Sequence, residues 1–196
     1  MEKLRLGVLG SGRGSNYRAI QEAIRRGEIP AETAIVISDV ETAGILQAAR
    51  QYGVRAEYVP PGRYRTKLEP EAEERVATLL KDAGADLVVL AGYMRIVKEP
   101  LLTAFAGRMI NIHPSLLPAF PGLEAWKQAL AAGVNETGCT VHWVDQGMDT
   151  GAIIAQRAVP ILPGDTPESL HARIQIAEHE IYTEVVKGIA KARGDR

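Results

Sequence analysis

The chain has 196 residues, 46% hydrophobic and 24% charged, with a formal net charge of -1. That is enough for one well-buried core and short for two, and so balanced a charge excludes bulk attraction to nucleic acid. Cys139 is the only cysteine, which excludes an intrachain disulfide framework, and no apolar run approaches the length needed to cross a bilayer. Met1 to Gly7 leads directly into a strand, with no secretory h-region, so the expectation is a cytoplasmic protein with neither nucleic acid nor membrane as a partner.

Leu4 to Leu9 reads as a strand ending in Gly10-Ser11-Gly12-Arg13-Gly14-Ser15-Asn16. Tyr17 to Arg26 then carries Ala19, Ile20, Ala23 and Ile24 at helical spacing. Strand, glycine loop and helix in that order present backbone N–H groups and a helix N-terminus to an anion. Ser15 and Asn16 are placed to cap the helix or to hydrogen-bond a phosphate, and Arg13 adds positive charge. A tight turn without a ligand is the plainer alternative. The loop meets half of the dinucleotide fingerprint: Gly10-x-Gly12 fits, but Ser15 occupies the third glycine position and Gly14 falls one residue early. Asp39, after the next strand (Ala34 to Ser38), stands near the place of a ribose-binding acid, so an NAD-dependent oxidoreductase is a competing reading.

Ala43 to Tyr52 reads as a helix stopped by Gly53, Val54 to Val59 as a strand, and Pro60-Pro61-Gly62 as a turn. The basic stretch Arg63-Tyr64-Arg65-Thr66-Lys67 is either a solvated loop or a contact for an acidic ligand tail. Pro70 to Ala83 reads as a helix with glutamates in its first turns and Gly84 at its end. Leu87 to Ala91 is continuously apolar, as a strand buried on both faces should be, and leaves through Gly92-Tyr93-Met94-Arg95. A short helix and a second apolar strand lead to Asn111-Ile112-His113-Pro114-Ser115-Leu116-Leu117-Pro118. Alternating strands and helices predict an α/β fold: one Rossmann-like domain over residues 1–196 with a mostly parallel twisted sheet. In such sheets ligands bind beyond the carboxyl ends of the strands, where the glycine loop, the Gly92 exit and the Asn111–His113 segment converge.

Asn111 and His113 are two apart on an extended segment and project to the same side, while Pro114 and Pro118 hold them at a strand end. An amide and an imidazole together suit oxyanion binding and proton transfer. The imidazole needs a carboxylate partner. Asp145 and Asp149, in the loop between two further strands (Thr140 to Val144 and Ala152 to Val159), are both candidates that spacing does not separate. Glu124 to Ala132 reads as a helix closed by Gly133, and the last helix begins near Thr166. Its buried stripe is Leu170, Ile174, Ala177, Ile181, Val185 and Ile189, with His171, Glu178 and Tyr182 beside it. His142 and His179 read as packed or surface residues, and Cys139 as core. No HExxH or CxxC motif accompanies any histidine, so a metal site is not expected, and no G-x-S-x-G elbow supports serine catalysis. A direct transferase, a nicotinamide enzyme and a catalytically silent phosphometabolite-binding module all remain open on these residues.

Five blocks carry a family resemblance: Gly12 to Asn16, Ala91 to Ile96, Asn111 to Pro118, Met148 to Gly151 and Glu178 to Tyr182. Over nearly its whole length the chain resembles the phosphoribosylglycinamide formyltransferase family, folate-dependent enzymes of purine biosynthesis. The NIHPSLLP block is specific for the wider formyltransferase group, which includes methionyl-tRNA formyltransferase and formyltetrahydrofolate deformylase. The length leaves no room for the extra domain of either, and the GSGRGSN loop suits a small phosphorylated substrate. The resemblance implies metal-free formyl transfer from the co-substrate 10-formyltetrahydrofolate to the amine of 5-phosphoribosylglycinamide (GAR), by a monomer or homodimer. It further implies that Asn111, His113 and Asp149 are catalytic, and that Gly14, Ser15, Asn16 and Glu178 bind the ribonucleotide. Met94, Arg95, Ile96, Val97 and Asn111 would line the pterin pocket, and Lys67, with Arg65 as the alternative, would meet the folate tail. One departure is visible: after Pro121-Gly122, where many relatives have histidines, this chain has Leu123-Glu124-Ala125-Trp126.

Overall fold

Val8, Val89, Ile110 and Ile112 leave the sheet on one side, and Leu9, Val88, Leu90 and Met109 on the other, and all are buried. Strands that bury both faces need helices on both sides, and the chain supplies them by alternation. The computed structural model describes residues 3–194, so Met1, Glu2, Asp195 and Arg196 of the expected domain lie outside the described residues. In order, the elements are β1 (Leu4–Leu9), α1 (Ser15–Arg25), β2 (Ala31–Ser38), α2 (Gly44–Gln51), β3 (Ala56–Tyr58), α3 (Pro70–Asp82) and β4 (Leu87–Leu90). There follow α4 (Leu101–Ala104), β5 (Met109–His113), α5 (Ala125–Ala132), β6 (Glu136–Trp143), β7 (Ile153–Pro160) and α6 (Pro167–Gly194). One face of the sheet packs against α1, α2 and α6, with Trp126 and Leu130 of α5 at its margin; the other packs against α3 and α4.

The sheet order is β3-β2-β1-β4-β5-β6-β7. β1 to β5 pair in parallel, as expected, whereas β6 runs against both β5 and β7. The short β6–β7 connection has no room for the crossover a parallel pair would need. The chain builds β2 and β3 on one side of β1, then β4 and β5 on the other, so the order reverses between β1 and β4. A crevice opens outside the carboxyl ends of strands at such a point. There the Ser11 N–H donates to the Gly92 carbonyl at 3.0 Å.

Several boundaries differ from the sequence reading, and β2 begins at Ala31, three residues early. α1 begins at Ser15, two residues early; β3 is only Ala56–Tyr58, an edge strand paired with the end of β2 alone; and β6 begins at Glu136. The turn-like residues Thr137 and Gly138 extend β6 because they pair with Val159 and Ala158 of β7, so tertiary pairing overrides local propensity. The apolar stripe of α6 is as expected from Leu170 to Val185, with Ile189 half-buried.

Buried Tyr182 joins α6 to the sheet beside the crevice, its hydroxyl donating to the carbonyls of Leu90 (2.8 Å) and Ile110 (3.1 Å). Tyr182→Phe keeps the ring and removes the only donor. Chemical denaturation of that variant is expected to register a loss of about 1 kcal/mol.

Candidate active site

The glycine loop is shaped by packing at two positions. A Cβ on Gly10 would stand 2.7 Å from the Ala91 carbonyl oxygen, and Gly14, at φ +78°, would put one 2.8 Å from Ile45. Among the described residues nothing lies within 4 Å of a Cβ built on Gly12, which leaves the backbone open to close approach. Gly14 is itself the N-cap of α1, with no side-chain cap bond. Ser15 and Asn16 are therefore not caps, as the sequence reading allowed, but the first residues of the helix. Their N–H groups belong to the first turn, which lacks intrahelical acceptors. Asn16 is 8% exposed; its Nδ2 donates to Glu178 Oε2 at 3.3 Å, and its buried Oδ1 has no partner among the described residues. Burial pushes the Glu178 carboxyl up to about 7, against the opposing effect of the Asn16 hydrogen bond.

At the end of β5, Asn111 and His113 share one cluster with Asp149. His113 Nδ1 lies 3.3 Å from Asp149 Oδ2, and its Nε2 lies 2.9 Å from the Phe120 carbonyl oxygen. Both ring nitrogens face acceptors, an arrangement that the doubly protonated imidazolium satisfies. Asp149 is a non-glycine residue at φ 55°, and its Oδ2 also accepts the Gly122 N–H at 3.0 Å. The candidate left open by spacing, Asp145, is engaged elsewhere: its Oδ1 accepts from the Gly147 N–H (3.0 Å) and the Thr150 hydroxyl (2.7 Å), which staples the loop.

His142, read from sequence as a packed residue, is buried within this cluster. It sits opposite Asn111 in the β5–β6 register. Its Nδ1 donates to the Trp143 carbonyl at 2.9 Å, which leaves Nε2 to accept from Asn111 Nδ2 at 3.3 Å. At 3.7 Å from Asp149 Oδ1, Nε2 feels that carboxylate electrostatically, the distance being too long for a hydrogen bond. Burial opposes the His142 cation, but Asp149 and the Trp143 carbonyl outweigh it and raise its pKa. Burial likewise opposes the Asp149 anion, yet the two histidines and the Gly122 N–H hold its carboxyl below the usual range. Only the cross-strand register, which sequence spacing does not reveal, would have singled out His142.

Beyond β4, Met94 is 60% exposed, Ile96 is half-buried, and Val97 turns its side chain into the core, leaving only its main chain for a ligand. Arg95 does not extend freely: its Nε donates to Asp39 Oδ2 at 2.7 Å. Asp39 also accepts from the Ser11 hydroxyl, so the acid that the NAD reading requires is already engaged on both oxygens. Lys67 lies in the exposed loop with its Nζ 4.7 Å from the Tyr64 ring centre, and Arg65 beside it is exposed. Cys139 is fully buried and its thiol is pushed up to about 12 by burial, as a core residue should be.

Among proteins of known identity, the chain is 42% identical over 180 residues to the phosphoribosylglycinamide formyltransferase of Bacillus subtilis, covering 92% of this chain and 91% of that one. It is 47% identical over 177 residues to the trifunctional purine biosynthetic protein adenosine-3 of Drosophila pseudoobscura, covering 89% of this chain but only 13% of that much longer protein. The crystal structure of glycinamide ribonucleotide transformylase 1 from Symbiobacterium toebii superposes with a TM-score of 0.92 at 51% identity, over 97% of this chain and 89% of that one. Residues 4–186 match the formyl transferase family model. The chain belongs to the formyl transferase family, in its phosphoribosylglycinamide formyltransferase group.

Proposed function

We propose that this protein transfers the formyl group of 10-formyltetrahydrofolate to the amine of 5-phosphoribosylglycinamide, with Asn111, His113 and Asp149 as its catalytic residues. The observation that carries the reading is the 3.3 Å approach of Asp149 to His113, next to Asn111, at the end of β5, the strand beside β4 and its exit to the Met94–Val97 segment. In this reading the ribose phosphate meets the first-turn N–H groups at Gly14, Ser15 and Asn16. Glu178 takes the polar groups toward the glycinamide end, supported by its contact with Asn16. The pterin lies along Met94, Arg95, Ile96 and Val97 with Asn111, and Lys67 attracts the anionic tail.

The amine nitrogen attacks the formyl carbon, forming a C–N bond while the carbonyl oxygen gains negative charge. An Asn111 amide N–H and the His113 imidazolium stabilise that oxyanion, and Asp149 favours the imidazolium. Collapse then breaks the bond from the formyl carbon to the folate nitrogen, and the proton lost by the amine passes to that nitrogen. His142 holds the Asn111 amide in place by accepting one of its two N–H bonds, which leaves the other for the substrate. The proposal includes residues 1–196 acting as one domain, as a monomer or homodimer, in the cytoplasm; the single buried cysteine suits that compartment.

His113→Ala is expected to lower kcat on the order of 100-fold or more in a formyl-transfer assay with these two substrates, with the circular dichroism spectrum preserved. Turnover at the parent rate would remove His113 from the mechanism. Glu178 supplies a separate test through linkage. Its folded pKa, about 7, lies above the ordinary 4.5, so the folded state holds more protons than the unfolded state between those values. Its contribution to stability is present below about 4.5 and is lost as pH rises through about 7. Denaturation curves across that window should therefore find the parent losing stability relative to Glu178→Gln; a constant difference would contradict the buried, proton-retaining Glu178.

A further inference from the structure

Asp39, at the carboxyl end of β2, has a side chain only 2% exposed and bridges three loops. Its Oδ1 accepts from the Ser11 hydroxyl at 2.5 Å and its Oδ2 from Arg95 Nε at 2.7 Å. The Ser11 hydroxyl oxygen in turn accepts the Met94 N–H at 3.0 Å. The far end of the same guanidinium reaches the exposed loop: Arg95 Nη1 donates to the carbonyls of Tyr64 (2.8 Å) and Arg65 (2.5 Å). One more bond joins that loop to the β4 exit, from the Ile96 N–H to the Thr66 carbonyl at 2.8 Å. Residues 64–67 have exposed side chains and no helix or strand; Arg63 and Pro61 tie the base of the loop to Glu69, and the bonds from Arg95 and Ile96 hold its 64–66 carbonyls against the β4 exit.

A guanidinium is planar, and its donors keep a fixed fork. A carboxylate on Nε therefore sets the plane in which Nη1 points, and Asp39 also neutralises a cation whose side chain is only 17% exposed. Without that anion the guanidinium would turn toward water and leave the two loop carbonyls. Tyr64, whose carbonyl is one of them, is also the ring over which Lys67 lies. We infer that Asp39, acting through Arg95, is a positioning residue that fixes the 63–67 loop and its Lys67 cation, and so governs how tightly the protein holds the anionic tail of its formyl donor. This rests on the reading above in which Lys67 meets that tail.

The test is equilibrium binding to the full chain of two non-transferable folate analogues, one with its glutamyl tail and one ending at the benzoyl group. Asp39→Asn is expected to weaken the tailed analogue about tenfold and to leave the tail-less one unchanged. Lys67→Ala should show the same selective loss, and the double variant should be no weaker than Lys67→Ala alone. In turnover, Asp39→Asn should raise the donor KM about tenfold with kcat retained. Should Asp39→Asn fold poorly, Asp39→Ser, uncharged but still able to hydrogen-bond the Ser11 hydroxyl, must give the same selective loss. Equal weakening of both analogues would make Asp39 merely structural and overturn the inference. A selective loss in Lys67→Ala with none in Asp39→Asn would overturn it while leaving the tail contact standing; no selective loss in Lys67→Ala would overturn the tail contact and the inference with it.

Discussion

A carboxylate held out of water between two imidazoles makes demands on everything around it. Asp149 is largely buried, and an isolated anion there would be protonated or expelled. It stays ionised because His113, His142 and the Gly122 N–H surround it, and removing one partner of such a buried pair typically costs about 3–5 kcal/mol. The same arrangement requires an unusual backbone. Asp149 sits in the left-handed region, and the loop that carries it is stapled by Asp145 and pressed against β6 at Gly151, where a Cβ would fall 1.6 Å from the Trp143 carbonyl oxygen. Strain of this kind persists where the surroundings over-determine it. Here they consist of one antiparallel strand and a loop that folds back along the sheet face.

Antiparallel β6 brings His142 into register with Asn111 and ends opposite the start of β5, so residues 144–152 fold back to bring Asp149 to His113. The parallel part of the sheet contributes the other half. Its order reverses between β1 and β4, so the glycine loop and the Gly92 exit are neighbours, joined by Ser11 and Asp39. The glycine loop and the β4 exit are thus tied to each other before any ligand enters, which is the preorganisation that the proposed two-substrate transfer needs.

The sequence disclosed most where chemistry and local pattern coincide. The apolar runs, the glycine loop and the Asn111–Pro118 block are each legible alone, because strand periodicity and proline placement act over a few residues. What stayed hidden depends on register and on distant partners. His142 looked like any histidine in an alternating strand until pairing set it opposite Asn111. Asp39 stood where a ribose-binding acid would, and only the approach of Arg95, 56 positions later in the chain, revealed it as an anchor. Ser15 and Asn16 looked like caps because their side chains can do that work, but Gly14 turns the chain into the left-handed region first and carries them inside the helix. Long-range pairing decides each of these, and spacing carries no record of it.

The side chains of the departure at Leu123–Trp126 make their contacts away from the Asn111–His113–Asp149 cluster. Trp126, on α5, stacks on His171 of α6 with ring centres 3.7 Å apart and planes 4° from parallel. Burial, and after it the charge of Arg13, lowers the His171 pKa, so the neutral ring is the form that packs there. Neutral stacked rings join the two helices by dispersion and apolar burial, with no ion to keep solvated. The segment's contribution near Asp149 comes from backbone: the Gly122 N–H, supplied just before the altered residues begin. The side chains of this segment therefore bear on how α5 is fastened to α6, while the donor that helps keep Asp149 ionised comes from Gly122, outside the segment.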